Sequence, residues 1–475
     1  MILWLFTVVM LFTIIAVAYI YLTNDKYLKL DDYLTARNRF STFPATMTIF
    51  ASIMGSWILF TPAEAGTWGG IAAFGGYALA QALAVMVFAY FGPRMRNLAP
   101  KGTTLFEFVF YRYGKGMYML VLLIGVFYMA VFLAAELTGI ATAVNLVAGI
   151  PLWVTALIIG CGTLIYTAYG GIRGSIFTDV IQALVILPTV LIAFFATVRY
   201  TGGFGDIVVR IKNINPDLLS LQNIGGLNFA ASLAIAVVAA NMFNQGFWSR
   251  VYACKDNTVV RRSFLIAGVL IIPIMMITGS FGLLAVAEGT LHFPSAALFE
   301  VVMYKAAPWV IYVVVLLAIA LVMSSVDTLI NALAAIFTVD IARFKPRLKP
   351  SVLQTYARMI TAAICGIVIF VASKGYSVLY LFLIADLVCT AAVFPTFYGM
   401  FSKRFNGTAG VISILTGIAA GIPFFPDPSM QGGNLLNSFL MAAAVSIILA
   451  LALERFSKYE LNFESLKENV QDIQG

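Results

Sequence analysis

Charge is scarce in this chain. Asp, Glu, Lys and Arg together make up 11% of 475 residues, against 61% hydrophobic, and a water-soluble domain of ordinary composition is excluded. Histidine is nearly missing: the single imidazole, His292, falls in a loop between apolar stretches. A metalloenzyme or a serine hydrolase of the usual kind needs imidazole near the reacting atoms, so no enzyme is expected. Cysteine is equally sparse. Cys161, Cys365 and Cys389 fall inside apolar stretches and Cys254 in a loop, which implies no disulfide framework. No nucleotide-binding loop occurs, and the segment after Leu453 is short and of mixed charge, so no ATPase module is expected on the chain.

What is present is apolar length. Thirteen stretches are long enough to cross a bilayer, at 2–22, 43–66, 71–91, 117–147, 152–170, 176–198, 227–246, 263–287, 309–339, 359–373, 378–400, 410–424 and 435–453. An all-α integral membrane protein follows. The first stretch lacks a basic leader region and is long enough to span, so no cleavable signal is expected. With the amino terminus outside, the loops assigned inside carry every Lys and Arg except Arg199, Arg210, Lys212, Lys305 and Lys374. That asymmetry obeys the positive-inside rule and predicts a multi-pass plasma-membrane protein with an external amino terminus and a cytoplasmic carboxyl terminus. The net charge of +8 is then a topology signal, and no nucleic-acid partner is expected; the lipid bilayer is the partner.

One span carries more than apolar residues. Ser324, Ser325, Asp327 and Thr328 interrupt the ninth stretch, and an Asp at the bilayer centre costs about 2.5 to 3.5 kcal/mol unless it faces a cavity, a partner or an ion. Ser324, Asp327 and Thr328 follow i, i+3, i+4 spacing and so share one helical face. A set of hard oxygens without thiol or imidazole suits a hard cation. The hydroxyls could instead bond back to the preceding turn.

Two spans look broken. The second carries Gly55, Ser56 and Pro62 at its middle and beyond, and the seventh ends in Phe243, Asn244, Gln245 and Gly246. Interrupted spans at corresponding positions of two halves point to a midplane binding site, because unwinding frees backbone carbonyls and half-helix ends. The seventh lies five spans after the second, which fits an inverted repeat. The alternative is that these glycines only permit close helix packing.

The order of short motifs on this frame is informative. It includes Asp32 to Arg37, Ala51 to Trp57, Tyr169 to Ile172, Phe177 to Gln182, Phe243 to Gln245 with Arg250, Ala253 to Asp256, Met323 to Ser325, and Val339 with Asp340. In this the chain resembles the sodium:solute symporter family, from about Asp31 to Arg404. The resemblance implies a leucine-transporter-type fold of two inverted five-helix repeats, with one extra helix before and two after. The expected divisions are 1–42, a first repeat at 43–200, an external loop at 201–226, a second repeat at 227–400, and 401–475 with two terminal helices and a short tail.

The same resemblance implies sites. A main sodium site matches the carbonyls of Ala51, Met54 and Leu321 with the hydroxyls of Ser324 and Ser325. A second sodium site, found in some members, matches Asp179, Ser324, Asp327 and Thr328; Asp327 stands where serine is common, which places two carboxylates near one ion. Solute contacts match Trp57, Ile58, Gln81, Asn244, Gln245 and Asp386. Glu136, deep in span four, is a gate, a proton site or a structural acid; Asp179 is either an ion ligand or an interfacial ion pair following Arg173. Aromatic Trp57, Phe247 and Trp248 flank the breaks. No Lys or Arg is expected in the core, so an anionic solute would depend on half-helix N-termini alone. The function implied is sodium-coupled import, by a monomer and through alternating access, of a small polar solute such as an amino acid, a quaternary amine or urea. A proton-coupled relative and a membrane sensory module are the alternatives.

Overall fold

A computed structural model describes residues 2–23, 30–345, 347–428 and 432–470, and every named element among them is a helix. Lys26 and Lys29, counted above among the inner basic residues, lie outside the described residues. Ten helices are long and apolar enough to span a bilayer: Gly70–Leu98, Lys115–Ala148, Gly170–Tyr200, Ile224–Asn241, Asn257–Glu288, Pro308–Phe344, Pro350–Ala372, Val378–Tyr398, Gly407–Phe424 and Leu435–Arg455. An eleventh is a pair, Thr42–Ile53 and Ser56–Trp68, bent by 64°. Shorter apolar helices lie at Leu3–Tyr19 and Leu152–Ala168, so eleven segments among the described residues, not the thirteen expected, are long enough to cross. For reference we number all thirteen segments in chain order as spans one to thirteen.

Span nine, Pro308–Phe344, is the central element. Of its apolar window 72% is buried, against 28% in spans ten and thirteen. A helix enclosed on all sides can be apolar all round and still hold polar residues away from lipid, as this one does. Spans five and six follow one another with a break only at Gly171 (φ 56°, ψ −154°), a region that only glycine occupies without strain. There is no room for a side chain either: a Cβ there would lie 2.6 Å from the carbonyl oxygen of Tyr33, whose hydroxyl donates to the Ala168 carbonyl at 2.9 Å.

The loops assigned inside share one face, because their arginines bind the carbonyls left open at helix ends. Arg37 donates to Gly102 at 2.9 Å and stacks on Tyr252; Arg96 donates to Val251 at 2.9 Å and Cys254 at 2.7 Å. Arg94 reaches Met400 at 2.8 Å, and Arg112 reaches Gly399 and Ser402 at 2.8 and 2.7 Å. Elsewhere, at the end of span eight, Glu288 pairs with Arg210 at 2.6 Å and Lys305 at 3.2 Å, two of the five cations assigned outside.

Gly171→Ala should cost about 1 to 3 kcal/mol from the backbone alone. The expected result is a thermal midpoint several degrees below wild type in detergent; an unchanged midpoint would show that the turn relaxes freely.

Candidate ion and solute site

Span two stops helical winding at its middle. Met54 N–H bonds back to the Ala51 carbonyl at 3.1 Å, Gly55 is extended (φ −104°, ψ −173°), and the second half starts at Ser56. A break in a membrane helix frees N–H groups that water cannot satisfy. Glu136 of span four meets this need: its Oε2 accepts from Ser56 N–H at 2.6 Å, and the Ser56 hydroxyl donates to the Glu136 carbonyl at 3.0 Å. The carboxylate therefore sits on the positive end of the half-helix. It fits because residue 55 has no side chain, since a Cβ there would fall 1.8 Å from Glu136 Oε1.

Span seven breaks as well. Its first part ends at Asn241, and a second helix, Gln245–Ala253, follows. Asn244 caps that helix, its Oδ1 accepting from Gly246 N–H at 2.9 Å. Gln245 is fully committed: Oε1 accepts from Leu105 N–H at 2.9 Å, while Nε2 donates to Thr103 O at 3.0 Å and Ser249 Oγ at 3.2 Å. Asn244 thus serves the break itself, and Gln245 ties the resumed helix to the backbone at Thr103 and Leu105.

The second helix delivers Arg250 into the centre, 1% exposed. This corrects the expectation that the core holds no Lys or Arg and that Arg250 belongs to an inner loop: the helix resumes after the break and carries the guanidinium back between the spans. Its Nη2 meets Asp179 Oδ2 at 2.9 Å, Thr328 Oγ1 at 2.7 Å and Ser175 Oγ at 3.2 Å; Nε donates to Thr48 Oγ1 at 3.1 Å and Nη1 to Gly246 O at 3.2 Å. Asp179 also accepts from Thr48 at 2.5 Å and Ser324 at 2.6 Å, so its ionic partner is Arg250. Asp327 is held by hydroxyls, from Ser175 at 2.8 Å, Tyr166 at 3.0 Å and Thr178 at 3.1 Å. Asp179, Ser324, Asp327 and Thr328 do converge, around a guanidinium.

Beside this cluster, the Ser325 hydroxyl reaches the Ser52 carbonyl at 3.5 Å, tying span nine to the first half of span two next to buried Ala51, Met54 and Leu321. Among the described residues, no group of three His, Cys, Asp or Glu could hold a metal ion; the oxygens here are hydroxyls and carbonyls.

A small cavity of about 30 Å³, room for one ammonium-sized group, adjoins the break. Its walls include Trp57 of span two, Tyr77 and Gln81 of span three, Tyr128 and Phe132 of span four, Asn241 of span seven, and Phe382 and Asp386 of span eleven. Trp57, Gln81 and Asp386 are thus where solute contacts were expected, whereas Ile58 is buried elsewhere and Asn244 and Gln245 do not line it. The aromatic wall went unpredicted; its only sequence signal is that Phe132 and Tyr128 stand one and two turns before Glu136 on span four. Gln81 Nε2 and Asn241 Oδ1 are buried without a hydrogen-bond partner. Among the described residues, Asp386, 4% exposed, has no hydrogen-bond or ion-pair partner. The arrangement can hold a cation against Asp386 and aromatic faces, with the Asn241 amide oxygen as a further acceptor, while Gln81 Nε2 is left to donate to a neutral acceptor.

Gly55→Ala should displace the Glu136 carboxylate and uncap the half-helix. We expect normal insertion with solute uptake reduced at least about tenfold, as for loss of a buried charge-assisted hydrogen bond; wild-type uptake would mean that the break tolerates a side chain.

The family model described as the sodium:solute symporter family matches residues 33–417. The chain is 26% identical over 448 residues to the spermidine transporter DUR31 of Candida albicans, covering 89% of this chain and 83% of that protein. It is 24% identical over 369 residues to the sodium/glucose cotransporter of Vibrio parahaemolyticus, covering 68% of this chain and 65% of that protein. In structure it is similar to a Na+-coupled sialic acid symporter in its substrate-bound outward-open state, with a TM-score of 0.76 at 18% identity over 96% of this chain and 98% of the other. Mhp1, a nucleobase-cation-symport-1 family transporter, follows with a TM-score of 0.60 at 12% identity, covering 92% of this chain and 99% of the other. These neighbours are transporters, not enzymes, and they share the leucine-transporter-type fold. With its family match running from the loop before span two into span twelve, the chain belongs to the sodium:solute symporter family.

Proposed function

We propose that this protein is a sodium-coupled symporter that imports a small organic cation by alternating access. The observation that carries the solute class is Asp386, a buried carboxylate without a partner among the described residues, in an aromatic-walled cavity. A bare carboxylate in low dielectric needs a counter-ion, and an amine cation supplies one. Amino acids and other carboxylates fit poorly. The half-helix N-terminus that would hold their anionic end is already occupied by Glu136, and the buried guanidinium of Arg250 is committed to Asp179. The spermidine transporter among the relatives agrees with a cationic solute.

Sodium is assigned to the break of span two, with Ala51, Met54, Leu321, Ser324 and Ser325 as ligands. Ser324 donates its proton to Asp179, which leaves its lone pairs free and more negative for a cation. The second ion position is filled by Arg250, so one sodium per cycle follows. The two repeats, 43–200 and 227–400, would rock about this site, in a monomer whose arginine-rich face is cytoplasmic and whose amino terminus is external.

In proteoliposomes, labelled choline, butylamine or spermidine should enter when an inward sodium gradient is imposed. Asp386→Asn should cut that uptake at least about tenfold, and Ser325→Ala should raise the sodium concentration for half-maximal uptake. Uptake of neutral solutes only would overturn the cation assignment, and uptake driven by a pH gradient without sodium would replace sodium by a proton.

Gln222 is exposed in the 201–226 segment. With a cysteine there, an impermeant thiol reagent should label intact cells; labelling only after permeabilisation would invert the topology.

A further inference from the structure

A second cavity, of about 380 Å³, shares the Leu379 wall with the first and is lined by Glu64, Trp68, Asn228, Phe229 and Ser232. Both cavities are reached by the second half of span two. Trp57 lines the first; Glu64 and Trp68 line the second, and Thr61 lies between them. Trp57 sits in the 3-10 turn Ser56–Leu59, whereas Thr61, Glu64 and Trp68 share one face of the α-helix Thr61–Trp68 that follows it.

The rings between them form a ladder. Trp57 and Tyr77 are 5.6 Å apart, Tyr77 and Phe229 6.1 Å, and Phe229 and Trp68 5.2 Å. The ladder starts in the cavity that holds Asp386 and ends in the cavity that holds Glu64. Among the described residues neither carboxylate has a hydrogen-bond or ion-pair partner, although other acids do: Glu288 is matched by two cations and Asp179 by Arg250. Two unmatched carboxylates joined by aromatic faces make a linear arrangement of cation sites, because each ring face attracts positive charge and the apolar edges accept methylene groups.

We propose that the two cavities form one elongated site for a linear polyamine, with one ammonium at Asp386 and a second at Glu64. This rests on reading the inner cavity as an organic-cation site, and it deepens that reading from any amine to an extended one with two or more charges. A monoamine meets Asp386 alone. A triamine gains a second charge-assisted contact without losing translational freedom twice, since its methylene chain fixes the second ammonium near Glu64 once the first is bound. Glu64, at the outer of the two cavities, also attracts the cation before it reaches Asp386.

The test compares KM values for sodium-driven uptake of spermidine and butylamine in proteoliposomes. Wild type should favour spermidine by at least about tenfold, as one added charge-assisted contact gives. In Glu64→Gln the spermidine KM should rise towards the butylamine value, removing the preference, while Glu64→Asp, which keeps the charge, should retain most of it. Asp386→Asn should weaken both amines. Equal KM values for the two amines in wild type, or a full preference surviving in Glu64→Gln, would overturn the elongated site and leave the organic-cation symporter standing. Uptake of neither amine would overturn both. If Glu64→Gln elutes as aggregate, Trp68→Leu, which removes the ring at the far end of the ladder, should lower the preference in the same direction; an unchanged preference there would count against the proposal.

Discussion

The structure is organised around a guanidinium held away from water. Arg250 contacts the first half of span two through Thr48, span six through Asp179 and Ser175, span nine through Thr328, and the break of its own span through Gly246. A buried charge keeps its place only if its geometry is nearly complete, and removing one partner of such a pair costs about 3 to 5 kcal/mol. Any motion of span seven against spans two, six and nine must therefore carry these bonds along or exchange them together. This makes the cluster a stiff joint between the proposed repeats, and the sodium position proposed beside Ser325 would lie on its edge. Of the two serines proposed as its ligands, Ser324 also holds Asp179, so that hydroxyl would join ion occupancy to helix arrangement.

Much of the frame was legible in the sequence because membrane helices are written in long apolar runs, and hydropathy needs no tertiary information. The breaks in spans two and seven were legible for a related reason: Gly55 and the Asn244, Gln245, Gly246 run are costly inside a lipid-facing helix, so they point to a site. Trp57, Gln81 and Asp386 followed from the resemblance. What stayed hidden depends on contacts between distant helices. Arg250 reads as a loop cation because it follows Gly246 and Ser249 and precedes a basic stretch, and only the resumed helix Gln245–Ala253 turns it inward. The ring wall is drawn from Tyr77, Tyr128 and Phe382 on three different spans, each an ordinary aromatic in its own stretch. Asn244 and Gln245 misled for a chemical reason: an amide beside a break can serve a solute or cap the backbone, and the sequence is the same in both cases.

Carboxylates in spans four, six, nine and eleven show how the protein separates structure from binding. Glu136 is answered by the N-terminus of the broken span, Asp179 by a guanidinium and two hydroxyls, and Asp327 by three hydroxyls of spans five and six beside that of its own neighbour Thr328. Thr328 apart, each of these answers comes from a side chain or backbone group of another element, and each fixes that element in place. Asp386 alone among these four faces a cavity without such a partner. The difference is physical. A carboxylate that the fold has already matched gains little from an arriving cation, since a new contact must displace an existing one, whereas an unmatched carboxylate recovers the solvation it lost on burial. The polarity of the half-helix strengthens this selection. Its N-terminus would ordinarily favour an anion, but Glu136 already accepts from Ser56 N–H there, and Gly55 leaves it the room. On the solute class proposed above, Asp386 is then the carboxylate left for an arriving charge, and a glycine and a glutamate that do not line the cavity help to make it so.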